Sequence, residues 1–137
     1  MIHKLSKKVL SRIDRVVDVV LPLCEYKQKH ISIIFNNKGQ YVCAGFNKLK
    51  THPNSPHKYK TIHAEYDAVL HYPGPLYTLS SCFIVNVRVM KDGSYGLSKP
   101  CRSCQSFLEK VGVGSIYYSD NSAFKSLVQT RKMIHEI

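Results

Sequence analysis

The chain has 137 residues, 44% of them hydrophobic and 21% charged, a globular composition too short for two self-sufficient cores, so one domain is expected over residues 1–137. No apolar run approaches the roughly 18 residues of a membrane span, so no membrane partner is expected. Twenty Lys and Arg against nine Asp and Glu give a net charge of +11, a field that draws phosphates on a nucleotide, a nucleic acid or an anionic surface, or that simply solubilises.

Lys4, Lys7, Lys8, Arg12 and Arg15 open the chain without a long apolar core or a small-residue cleavage site after them. No signal peptide is therefore expected, and the protein reads as cytoplasmic. Leu5, Val9, Ile13, Val16, Val17 and Val20 recur at helical spacing and predict an amphipathic helix from about Leu5 to Leu21, ended by Pro22. His30 to Phe35 and Tyr41 to Phe46 read as the strands of a hairpin around Asn36-Asn37-Lys38-Gly39. Residues 48–60 carry two prolines and no periodicity, hence a loop. A second helix should begin near Thr61 or His63 and run to about His71, where His-Tyr-Pro-Gly-Pro stops it. Cys82 to Met90 is the clearest strand, and Lys91 to Lys99 a loop. Cys101 to Val111 reads as a helix ended by Gly112, and Ser115 to Ser119 as a short strand. The last 17 residues suit either a helix or an exposed strand, but not both. The order α-β-β-α-β-α-β predicts an α/β fold in three α-β-α layers, with helices flanking a mixed sheet of four or five strands.

The five cysteines, at 24, 43, 82, 101 and 104, are odd in number and lack a secretory context, which argues against a disulfide framework. Cys24, Cys43 and Cys82 read as small core residues. Cys101 and Cys104, in Pro100-Cys101-Arg102-Ser103-Cys104, lie three apart and share one helix face. A helix N-terminus favours thiolates. With the imidazole of His63 they make three ligands for a tetrahedral Zn²⁺, and the fourth position is left to a water whose proton is lost near neutral pH. Glu65, two residues after His63, can share a pocket with it only in a helix's first turn, where its carboxylate is placed to shuttle protons.

His63-Ala64-Glu65 followed by Pro100-Cys101-Arg102-Ser103-Cys104 resembles the cytidine/deoxycytidylate deaminase superfamily, whose signature is H-x-E…P-C-x-x-C with the Glu as acid/base and not a ligand. The likeness spans roughly residues 5–119, and the His ligand is similar to that of deoxycytidylate, tRNA adenosine and polynucleotide-editing deaminases. It implies one Zn²⁺ on His63, Cys101 and Cys104, catalysis by Glu65, and conversion of cytosine to uracil. It also implies substrate contacts from Asn47, in Gly45-Phe46-Asn47, and from Ala64, and a homo-oligomer. Two features depart from the pattern. Asp67 stands where deoxycytidylate deaminases often have Asn, and the tail is short for the helix and strand that several branches add.

The loop ahead of the motif carries Lys48, Lys50, His52, His57, Lys58, Tyr59 and Lys60 without an acidic residue. Lys58 is a candidate to hold a phosphate, and Tyr59 or His57 to stack on a base. A merely solvated loop is the alternative. Lys99 and Arg102 flank the cysteines and extend the same basic patch, and Tyr95 is expected to overhang the pocket. His30, His71 and His135 have no evident partner. The expected substrate is a free nucleotide such as deoxycytidylate; the alternatives are cytosine or adenine in single-stranded DNA or RNA, and a non-catalytic nucleic-acid-binding domain that keeps zinc for folding.

Overall fold

Ser6 opens the first helix, its hydroxyl accepting the Val9 N–H at 3.2 Å and so satisfying a donor that has no partner within the helix. In this computed structural model, which describes residues 5–49, 61–121 and 123–127, that helix is α1, Lys7–Val20. Val9, Ile13 and Val17 are its buried stripe, each contributing roughly 1.5–3 kcal/mol by leaving water. Pro22 does not end the chain's helical path outright: Leu21–Leu23 add one 3-10 turn.

The hairpin follows as β1, Lys29–Phe35, and β2, Tyr41–Phe46. Asn36 Oδ1 holds its turn by accepting the N–H groups of Lys38 and Gln40. Next come the two-residue strands β3, Lys48–Leu49, and β4, Thr61–Ile62, which pair with each other. Lys48 is therefore not part of a plain loop. Helix α2, Ala64–Leu70, has His63 as its N-cap, and a 3-10 segment at Leu76–Ser81 leads into β5, Phe83–Val89. The segment expected as a loop contains β6, Tyr95–Gly96. Helix α3, Arg102–Val111, ends at Gly112, whose φ of +80° suits a residue without Cβ. Strand β7 is Ser115–Ser119 and β8 is Phe124–Ser126, so the described part of the tail is a strand; residues 128–137, with His135, lie outside the described residues.

The main sheet runs β2-β1-β5-β7-β8, with β6 also on β5. It is mixed, since β5 and β7 are parallel and the other pairs antiparallel. It has six strands among the described residues, where four or five are expected from sequence. The excess comes from β6, which continues along β5 beyond β7 by pairing with Arg88 and Val89.

One face of the sheet packs Ile31, Ile33 and Phe35 of β1 and Val85, Val87 and Val89 of β5 under α1. The other face packs Ile34, Ile84 and Ile116 against Ala68 and Val69 of α2 and Leu108 of α3. The three layers expected from sequence are thus present. Cys24, Cys43 and Cys82 are buried as expected, and burial pushes the Cys43 thiol up to about 12. Among the described residues no helix is long and apolar enough to cross a membrane.

Helix α2 touches β2 backbone to backbone. A Cβ at Gly45 would lie 2.2 Å from the Ala68 nitrogen and 2.8 Å from the Ala64 oxygen, contacts that no rotamer can relieve. Gly45→Ala should therefore cost at least about 2 kcal/mol in urea unfolding. Wild-type stability for that variant would show that α2 does not seat this closely.

Candidate metal centre and substrate cavity

His63 and Cys101 both cap helices, with extended backbones at ψ 153° and 164°, so each side chain leans across the start of its own helix rather than along its flank. Cys104 sits in the first turn of α3. His63 Nδ1 lies 3.2 Å from Cys104 Sγ and 3.7 Å from Cys101 Sγ, and the three donor atoms all lie within 4.8 Å of one another. A tetrahedral zinc with its usual Zn–N and Zn–S lengths separates such atoms by about 3.6 Å. The donor set fits a zinc ion held by His63, Cys101 and Cys104.

The Cys104 thiol also fits. Burial pushes its pKa well up, followed by the Glu65 carboxylate and the neighbouring Cys101. At this position burial outweighs the thiolate preference expected of a helix N-terminus. A divalent cation supplies the positive charge that a thiolate there requires.

Glu65 is the second residue of α2 and is only 7% exposed. It lines a cavity of about 520 Å³ together with His63, Ala64 and Cys101. The first-turn geometry that a shared pocket requires is the one observed. Asn47, Ser98 and His30 form further wall, and Tyr26, Lys27, Gln28 and Lys99 complete the lining.

Asn47 is tied through both ends of its amide to the start of β1 and the residue before it. Its Oδ1 accepts the His30 N–H at 2.9 Å and its Nδ2 donates to the Gln28 carbonyl at 2.8 Å. One amide hydrogen and one lone pair remain for the cavity. Asp67 points away from this chemistry and into the packing: its Oδ2 accepts from the Phe46 N–H at 3.1 Å and from Lys48 Nζ at 3.0 Å. It joins α2 to the end of β2, and it takes Lys48 out of the basic loop to which the sequence reading assigns it. His71 finds its partner on the same residue, with Nδ1 2.8 Å from the Asp67 carbonyl.

Tyr95 does not overhang the cavity. Pairing of β6 with Val89 turns its ring to the α1 face, where its hydroxyl donates to Asp14 and its ring packs edge-on against Phe124. Lys99 lines the cavity, whereas Arg102 is exposed and does not. Lys50, His52, His57, Lys58, Tyr59 and Lys60 lie outside the described residues.

Sequence reasoning missed His30 and Ser98. His30 Nδ1 lies 3.1 Å from Ser98 Oγ, so His30 does have a partner. The available signal was strand parity. Ile34 packs under α2, and alternation puts Ser32 and His30 on that same face.

No family model and no curated protein matches the sequence. Solved structures do share the fold. The dCMP deaminase of the cyanophage S-TIM5 in apo form is 15% identical with a TM-score of 0.61, covering 86% of this chain and 87% of that one. The same enzyme in complex with dCMP and dUMP gives 14% identity and a TM-score of 0.56 over 83% and 82%. Cytidine deaminase from Mycobacterium leprae is 15% identical with a TM-score of 0.56 over 88% and 95%. The chain therefore has the cytidine-deaminase-like α/β fold.

Elemental analysis should find about one zinc per wild-type chain, the stoichiometry of a single Cys₂His centre. Cys104→Ser and His63→Ala should lose it, and Arg102→Ala should keep it. Full zinc content in a folded Cys104→Ser variant would contradict the site.

Proposed function

We propose that a chain with this fold and this cluster is a zinc-dependent hydrolytic deaminase, converting the exocyclic amine of cytosine to a carbonyl and releasing ammonia. The observation that carries the reading is the position of Glu65, a buried carboxylate in the cavity that His63 and Cys101 also line. A zinc held only for folding has no need of it. The shared fold supports the same reading, as does the phage dCMP deaminase solved with dCMP and dUMP. The substrate proposed is a free nucleotide such as deoxycytidylate.

His63, Cys101 and Cys104 would hold the ion. When bound, zinc lowers the pKa of water to near 7 and so provides the hydrolytic nucleophile. Glu65 has the proton work. Its carboxylate would receive the first proton of the water and deliver it to N3 of the cytosine ring, then take the second from the C4 hydroxyl and pass it to the departing amine. The C4–N bond breaks, a C4=O bond forms, and one water is consumed. Ala64 supplies a backbone N–H from the helix's first turn, a group without an intrahelical partner, for the carbonyl of the base. Asn47 offers its remaining amide hydrogen to the sugar, and Lys58 and Tyr59 are proposed contacts from the loop ahead of α2.

Self-association belongs to the reading, supported by two exposed apolar side chains on α2, Leu70 and Tyr66, the latter in ring contact with Phe107. So does a cytoplasmic location. A second reading, deamination within single-stranded DNA or RNA, is favoured by the net charge of +11. Affinity for a polymer should fall steeply with salt, and affinity for a monophosphate far less.

The test is mass spectrometry of products from zinc-loaded protein given deoxycytidylate, cytidine and single-stranded oligomers. Uracil is expected from deoxycytidylate, and Glu65→Ala should retain zinc while losing at least about 10²–10⁴-fold in rate. Turnover at the wild-type rate in Glu65→Ala would remove Glu65 from the mechanism. Uracil formed only in oligomers would replace the free-nucleotide reading with the editing one.

A further inference from the structure

The wall of the cavity beyond the metal cluster is built around His30, a residue with no role in the proton chemistry above. His30 stands near the start of β1 on the face that α2 covers, with its backbone held by Asn47 and its ring by Ser98. Asn47 brackets its backbone, accepting its N–H at 2.9 Å and donating to its carbonyl at 3.2 Å. Ser98 holds Nδ1 at 3.1 Å and is itself buried and fixed by its N–H on the Ser119 carbonyl at 2.9 Å. Nε2 is then the ring nitrogen left for the cavity. Burial, followed by the charges of Arg88 and His63, lowers the His30 pKa below the usual histidine value, so the ring acts as a neutral hydrogen-bonding group.

Two exposed lysines line the same cavity, Lys27 from the segment before β1 and Lys99 from the segment before α3. Among the described residues neither has an acidic partner, and Glu65 is the only carboxylate in the lining. Their neighbours in sequence and space are committed elsewhere: Lys29 Nζ donates to the Cys24 carbonyl at 2.7 Å, and Lys48 pairs with Asp67. Two uncommitted cations and one imidazole held by Ser98, on two separate stretches of the chain, are suited to a tetrahedral oxyanion rather than to a flat base.

We propose that His30, Lys27 and Lys99 form a phosphate site at the mouth of the catalytic cavity. His30 donates through Nε2–H, in the tautomer in which the Ser98 hydroxyl donates to Nδ1, and the lysines supply the charge. His30 is then a specificity-determining residue that selects phosphorylated substrates over free nucleosides. The proposal rests on the deaminase reading only for the identity of the base. The phosphate itself is either the monoester of a free nucleotide or a diester of a polynucleotide.

Binding to zinc-loaded Glu65→Ala protein, which leaves substrate unreacted, separates these possibilities. Deoxycytidine, deoxycytidylate and a short single-stranded oligodeoxynucleotide would be compared by calorimetry. A hydrogen bond to a charged group corresponds to about tenfold or more in affinity. His30→Ala should weaken deoxycytidylate by that factor and deoxycytidine by less than about threefold, with zinc content unchanged. His30→Gln, whose amide nitrogen reaches the place of Nε2, should stay within about threefold of His30. Lys27→Ala combined with Lys99→Ala should likewise weaken only the phosphorylated ligands.

Equal losses for nucleoside and nucleotide would make His30 merely structural and overturn the proposal, as would unchanged binding in His30→Ala or no preference for phosphate at all. Phosphate-dependent binding seen only with the oligomer supports the site and identifies its ligand as a diester. If the wild-type chain forms no uracil yet binds deoxycytidylate in a His30-dependent way, the deaminase reading falls and the phosphate site stands. If it forms uracil from deoxycytidine and deoxycytidylate with equal KM, the reverse holds.

Discussion

The backbone of α2 lies against β2 with no room for a side chain between them, and the site depends on that contact. Gly45 provides the space, and the Asp67 carboxylate fastens the helix to the strand through the Phe46 N–H and Lys48. Because α2 cannot slide along the sheet, its first residues are fixed in place. His63 and Glu65 therefore meet the start of α3, where Cys101 and Cys104 wait, with separations that a metal ion can bridge. A shift of one residue in α2 would turn Glu65 out of the cavity.

The electrostatics are uneven by design of the sequence. Most of the positive charge is on the surface, while the cavity is lined by the buried Glu65 carboxylate and by Cys101, with Cys104 buried within reach of His63. Burial keeps the Cys104 thiol protonated, so a thiolate there requires a cation beside it. His63, Cys101 and Cys104 are placed to hold such a cation, with the Glu65 carboxylate in the cavity that His63 and Cys101 line. The same cavity is also lined by the cations Lys27 and Lys99 and by His30. A nucleotide has matching groups, a neutral reacting base and an anion.

Much of this was legible in the sequence because the signals were local. His63-Ala64-Glu65 and the paired cysteines carry their geometry in their spacing, and β5 declares itself by its β-branched and aromatic residues, interrupted only by Asn86 and Arg88, because both its faces are covered. The short strands β3, β4 and β6 were not legible, since two residues show no period. β8 was ambiguous for a different reason: Phe124 to Ser126 fits a helix or a strand equally, and the open edge of β7 decides it by pairing Ser119 with Phe124. Tyr95 was misplaced because the direction of its loop depends on pairing with β5. His30 was passed over because its face of the sheet has meaning only once α2 is known to cover it. Lys48 looked free because its partner, Asp67, is distant in sequence.

In the proposed chemistry, water, with Glu65 moving its protons, replaces the amine of a cytosine nucleotide. Deoxycytidylate turned over by the zinc-loaded wild-type chain in ¹⁸O-labelled water tests it most directly. The expected product is deoxyuridylate carrying one ¹⁸O at C4, with ammonia released in equal amount and neither formed by Glu65→Ala. Intact deoxycytidylate, or deoxyuridylate formed without the label, would contradict that chemistry.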